Sequence, residues 1–117
     1  MANHIRDGRT GEERAAGYLR ENGYVILECN WRLNHREVDL ICARGELIVV
    51  VEVKYRKQPC ERPEELLDYR KRRNLLRAGA AYIGQRGWSR ELRFDLIVVT
   101  GTDGQITHIP DAIRIID

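Results

Sequence analysis

Residues 36–57 read REVDLICARGELIVVVEVKYRK, and the fold turns on how they are read. Most of the stretch has the β-branched, apolar character of a buried strand, yet Asp39, Glu52 and Lys54 stand inside it. A charge taken out of water without a partner carries a heavy desolvation penalty, or its pKa moves until it neutralises. Side chains alternate along a strand, so parity assigns faces. In 46–55, Leu47, Val49, Val51, Val53 and Tyr55 fill one face, and Glu46, Ile48, Val50, Glu52 and Lys54 occupy the other. In 37–43, Val38, Leu40 and Cys42 are apolar, whereas Glu37, Asp39 and Ile41 share the opposite face. The Arg44-Gly45 turn between them is short enough for an antiparallel hairpin, which sets Asp39 beside Glu52.

Upstream, TGEERAAGYLRENGY reads as a helix. Thr10 and Glu13 have the spacing of a capping box, Asn22-Gly23 supplies the stop, and Ala15, Ala16 and Leu19 form the apolar face. Glu12 lies four residues before Ala16, in line with that stripe rather than on the solvent face. Residues 24–33 alternate as a strand, with Val25, Leu27, Cys29, Trp31 and Leu33 on one side, and 34–36 turn the chain.

Downstream, 57–63 is a proline-containing loop, followed by a helix over 64–85 with Leu75, Leu76, Gly79, Tyr82 and Ile83 on its apolar face. Lys71 and Arg72 precede the two leucines by four residues, so the inward stripe turns basic at its N-terminal end. RFDLIVVTG is a further strand and QITHI a short fifth one; PDAIRIID has no single reading. The order αβββαβ(β) specifies an α/β fold, a mixed sheet flanked by helices. The helical connection implies that the strands before and after it run parallel.

At 117 residues the chain has the size of one domain, taken as 1–117. Net charge is +2, but from Lys54 to Arg77 nine basic residues face four acidic ones, a balance suited to a polyanion. Three cysteines without a CxxC pair argue against a disulfide framework and a cysteine-based zinc site. No apolar run has transmembrane or signal-peptide character, so no membrane partner is expected and the cytoplasm is the default location.

Carboxylates with no histidine or thiol beside them suit a hard cation, Mg²⁺ or Mn²⁺. Such an ion binds phosphate and activates water. A lysine two residues beyond a metal-binding glutamate shares its face and can orient the attacking water or neutralise developing charge. The competing reading of Asp39, Glu52 and Lys54 is a cross-strand ion-pair cluster on a solvated sheet face. For Lys71 and Arg72 it is a pair of long stems covering the sheet edge. Asp95 reads as a structural ion-pair residue, His4, His35 and His108 as inert, Trp31 and Trp88 as packing residues, and Cys42 as a small hydrophobe.

The pattern Asp39, twelve intervening residues, Glu52-x-Lys54, after a helix bearing Glu12, resembles the PD-(D/E)xK nuclease superfamily. GEERAAGYL, Asn30-Trp31-Arg32, EVDLI, VVEVKYR, KRRNLLRAGAAYI and RFDLIVV, in that order, resemble the YraN-type endonuclease-like family of bacterial proteins within it. The resemblance implies a restriction-endonuclease-like core. It implies Asp39 and Glu52 as metal ligands, joined by the Val53 carbonyl, with Lys54 as the catalytic lysine and Glu12 completing or supporting the metal site. Val38 stands where the superfamily has proline, and Arg36 where the family has glycine, which puts the turn next to Asp39 in question.

The leading expectation is a metal-dependent nuclease acting on nucleic acid, structured or branched DNA in preference to RNA. Arg56, Lys57, Lys71 and Arg72 would contact the backbone, and a homodimer would serve to cut both strands. The alternative is a nucleic-acid-binding module or accessory subunit that keeps the fold without independent activity.

Overall fold

A computed structural model describes residues 8–113. The elements are α1 (Gly8–Glu21), β1 (Val25–Leu33), β2 (Arg36–Arg44), β3 (Leu47–Arg56), a 3₁₀ turn (Pro63–Leu66), α2 (Tyr69–Arg86), β4 (Leu92–Thr100) and β5 (Gln105–Ile109). The five strands form one sheet in sequence order, antiparallel except for the parallel β3–β4 pair that α2 connects. The α/β architecture, the element order and the parallel β3–β4 pair are those expected.

Each face of the sheet carries a helix and its own core. On one face α1 buries Ala15, Ala16 and Leu19 against Leu40, Cys42, Val49, Val51, Ile97 and Val99. On the other, α2 buries Leu75, Ala78 and Tyr82 against Ile41, Ile48, Val50, Phe94, Leu96 and Val98. The alternation of β3 thus divides one apolar run between two layers. Gly79 permits α2 to approach β4, since a Cβ there would meet the Phe94 ring at 2.9 Å.

Several local expectations need correction. Helix α1 starts at Gly8, so Thr10 lies inside it rather than capping it. The helix expected over 64–85 is broken: Pro63–Leu66 is a 3₁₀ turn, Leu67 is buried, and α2 starts only after Asp68. The Asp68 carboxylate accepts from the Lys71 amide at 2.8 Å, an N-cap that the sequence displays but the apolar periodicity conceals. On edge strand β1, Leu27 and Trp31 pack inward while Val25 and Cys29 are exposed, because a register shift between Ile26 and Glu28 interrupts the alternation. Val38 packs in the α2-side core with Ile41, not with Leu40 and Cys42. His4 and the last four residues of the ambiguous tail lie outside the described residues.

Candidate active site

The β2–β3 ladder runs from Arg44↔Leu47 to Leu40↔Val51 and ends there. One residue further, the Asp39 carboxylate takes the place of a ladder partner, accepting from the Val53 amide at 2.8 Å. Strict alternation fails at this point, with Val38 on the α2 side and Leu40 on the α1 side. Asp39 is thereby held at the end of the pairing, within reach of Glu12 from α1 and Glu52 from β3.

Glu52 is on the face covered by α2 and is 3% exposed, so this face of the sheet is not solvated. Its Oε2 is shared by two ammonium groups, Lys54 Nζ and Lys71 Nζ, each at 3.4 Å. Its Oε1 is buried with no hydrogen-bond partner. An unpartnered buried carboxylate oxygen is uncommon, because it loses its hydration without compensation. Burial pushes both central acids up, Asp39 to about 6 and Glu52 to about 6. For Asp39 the Val53 amide opposes the shift and Glu12 adds to it; for Glu52 the Asp39 charge adds to it and Lys71 and Lys54 oppose it. Glu12 is also raised, chiefly by burial and against a hydrogen bond from Asn30.

Asn30 was not singled out as a site residue. It sits in β1 with φ 53°, a left-handed conformation that asparagine tolerates better than most residues. The signal was present in the Asn30-Trp31-Arg32 stretch. Glu12, Glu13, Ala16, Arg20, Cys29, Asn30 and Leu40 line a cleft of about 260 Å³ beside the acids.

The other expected residues divide. Lys54 and Lys71 reach Glu52, whereas Arg72 turns back, donating from Nε to the Leu67 carbonyl at 2.9 Å. Arg56 and Lys57 are exposed at the end of β3 and beyond. Arg36 opens β2 opposite Leu33, and its Nε makes a long 3.4 Å hydrogen bond to Asn74 Oδ1 on α2. His35 lies exposed in the β1–β2 turn, while Trp31 and Trp88 pack edge-on against Tyr82. Cys42 is fully buried, which pushes its thiol up to about 12.

Asp95 has the ion-pair role expected, and His108 is one of its partners. The buried Asp95 carboxylate accepts two hydrogen bonds from Arg93 at 2.8 Å, one from the Asp111 amide at 3.0 Å, and contacts His108 Nε2 at 2.7 Å. The other ring nitrogen of His108 meets the Tyr18 hydroxyl of α1 at 2.9 Å.

Among the described residues, no three His, Cys, Asp or Glu side chains are grouped tightly enough to enclose a metal ion by themselves. A site of two carboxylates is nonetheless sufficient for Mg²⁺, which retains waters and shares its shell with substrate phosphate. The all-oxygen donor set and the unpartnered Glu52 Oε1 fit such a cation. No described helix is long and apolar enough to cross a membrane.

A family model described as uncharacterised protein family UPF0102 matches residues 11–99. A UPF0102 protein of Bacteroides thetaiotaomicron is 40% identical over 115 residues, covering 96% of this chain and 95% of the relative. One from Nitratidesulfovibrio vulgaris (strain DP4) is 40% identical over 109 residues, covering 90% and 81%. Among solved structures, a repair endonuclease from Pyrococcus abyssi superposes with a TM-score of 0.50 at 21% identity, covering 86% of this chain. The present chain spans only 42% of that structure, and the likeness is one of fold, the restriction-endonuclease-like core.

Proposed function

The chain belongs to the uncharacterised protein family UPF0102, and we propose that it is a metal-dependent nuclease that hydrolyses phosphodiester bonds in structured or branched DNA. One observation carries the reading: a buried glutamate with one oxygen unpartnered and the other between two lysines, next to a second raised carboxylate. The fold shared with a repair endonuclease agrees with it.

Asp39 and Glu52 would hold Mg²⁺ or Mn²⁺, with the Val53 carbonyl and Glu12 as the further groups that the superfamily resemblance implies. The ion would supply a Lewis acid for the scissile phosphate and a bound water of lowered pKa. The protein's own part is positional. The Val53 amide fixes the Asp39 carboxylate. Lys71 holds Glu52 from the helix side, and Lys54, on the same strand face, is placed to orient the nucleophilic water or meet developing negative charge. Arg56, Lys57 and Arg72 are further backbone contacts in this reading.

Labelled duplex, flap, junction and single-stranded substrates, incubated with Mg²⁺, Mn²⁺ or EDTA, provide the test. Cleavage should require the divalent ion and fall by roughly 10²-fold or more in Asp39→Ala and Lys54→Ala. Cleavage that persists in both variants rejects the site. Binding without cleavage under every metal condition favours a nucleic-acid-binding module.

A further inference from the structure

Helix α2 is one-sided in charge. Its 18 residues include Arg70, Lys71, Arg72, Arg73, Arg77 and Arg86 and no aspartate or glutamate. Three of these have partners within the fold: Lys71 on Glu52, Arg72 on the Leu67 carbonyl, and Arg86 on Glu28. Arg70, Arg73 and Arg77 are exposed, and among the described residues no carboxylate pairs with them.

With Tyr69 and Asn74 these arginines line a shallow cleft of about 220 Å³ that contains no acid. Like charges at i, i+3 and i+4 repel, and cations in a first helical turn oppose the helix dipole. The patch therefore works against the helix that carries it, and a polyanion would relieve it. Tyr69 adds a second and independent feature. Its side chain is 72% exposed, with the Arg73 guanidinium 5.5 Å from the ring centre. An aromatic ring beside unpaired arginines is the make-up of a single-strand stacking platform.

The patch is continuous with the acid site. Asn74 within it is bonded to Arg36, three residues before Asp39, and Lys71 on the same helix touches Glu52. We propose that the outer face of α2 docks a nucleic-acid strand with unpaired bases, Arg70, Arg73 and Arg77 taking backbone phosphates and Tyr69 stacking on a base. Guanidinium forks match phosphate oxygens, and a base paired within a duplex is not free to cover the ring. The proposal rests on the nuclease reading in assigning this strand as the one led to the acids.

Fluorescence anisotropy in EDTA tests docking without cleavage. The probes are a labelled oligothymidylate, an abasic strand of equal length, a closed duplex hairpin and phosphatidylserine vesicles. The triple variant Arg70→Ala/Arg73→Ala/Arg77→Ala should bind oligothymidylate at least tenfold more weakly. Its slope of log K against log salt should be shallower by about 2, as three lost phosphate contacts on a single strand require. Tyr69→Ala should lose about tenfold on oligothymidylate and nothing on the abasic strand, and Tyr69→Phe should retain binding.

Thermal melting by circular dichroism checks the fold; if the triple variant melts early, single reversals Arg73→Glu and Arg77→Glu replace it. No binding by the unaltered chain, unchanged affinity and salt slope in the variants, or equal Tyr69→Ala losses on both strands overturns the proposal. Loss of vesicle binding with strand binding intact overturns it in favour of a membrane. With Mg²⁺ or Mn²⁺ restored, strand binding without cleavage of duplex, flap, junction or single-stranded substrates rejects the nuclease reading and leaves the docking face standing. Cleavage that survives while the α2 variants bind like the unaltered chain does the reverse.

Discussion

Two buried carboxylates lie on neighbouring rungs of the β3–β4 pair, and the protein treats them in opposite ways. Asp95, opposite Val51, is saturated: Arg93, His108 and the Asp111 amide occupy its oxygens. Burial alone would raise it, but the hydrogen bonds from His108, Arg93 and the Asp111 amide outweigh that and hold it below the ordinary aspartate range. Glu52, opposite Leu96 and on the other face, is pushed up to about 6 and keeps an oxygen without a partner. A saturated acid ties elements together, whereas Glu52 keeps one buried oxygen that no group of the fold satisfies. Burial is common to both, so burial alone does not tell the saturated acid from the unsaturated one.

The largest effect that would break this contrast is on stability. Asp95→Ala strands the Arg93 guanidinium against a vacated, buried position, and should destabilise the fold by about 3–5 kcal/mol in urea unfolding. The paired substitution Asp39→Asn/Glu52→Gln should do the opposite, in a manner that depends on pH. Both acids have folded pKa values raised above their ordinary 3.8 and 4.5, so the native state holds more protons than the unfolded chain between about pH 4 and 6. Stability from this pair is therefore present at low pH and lost as pH rises through 6. In EDTA at pH 7 the variant should be more stable than the unaltered protein, and the gain should vanish near pH 4. A variant that is less stable at pH 7 would mean that the acids are structural, like Asp95.

The contrast was only partly legible beforehand. Glu52 and Lys54 interrupt an apolar run at matching parity, and parity survives in β3 because its ladders to β2 and β4 are regular there. Asp39 was legible as an acid near Glu52, but not as the residue that ends the ladder, since that depends on how β2 leaves β3 beyond Leu40↔Val51. Lys71 was expected on phosphate and is found on Glu52, a contact set by where α2 begins. The start differs from the expected 64 because Pro63–Leu66 forms a separate 3₁₀ turn and the Asp68 cap opens α2 at Tyr69. His108 carried no local signal. Its partner Asp95 is thirteen residues away, and only the β4–β5 register joins them.

A divalent ion should act on one region alone. At tenfold its dissociation constant, Mg²⁺ or Mn²⁺ should stabilise the fold by about 1.4 kcal/mol, and EDTA should remove the gain. The Asp39→Asn/Glu52→Gln variant should show no such gain, while Asp95→Ala, if folded, should keep it.

The smallest effect is the most discriminating. Helix α1 carries Glu12 to the acid pair and Tyr18 to the Asp95 network, so the two regions share one rigid element. Tyr18→Phe removes the hydroxyl on His108 and leaves the hydrogen bonds to Asp95 from Arg93 and the Asp111 amide in place. The loss should be about 1 kcal/mol in urea unfolding, the net worth of one hydrogen bond, with cleavage unchanged. A saturated network gives way one bond at a time because its other members still satisfy the charge. If cleavage fell more than tenfold while stability moved by only that amount, Tyr18 would be setting the height of α1 and, through it, the position of Glu12. The Asp95 network would then belong to the site as its positioning frame, and the division between the two acids would be one of distance from the reaction rather than of role.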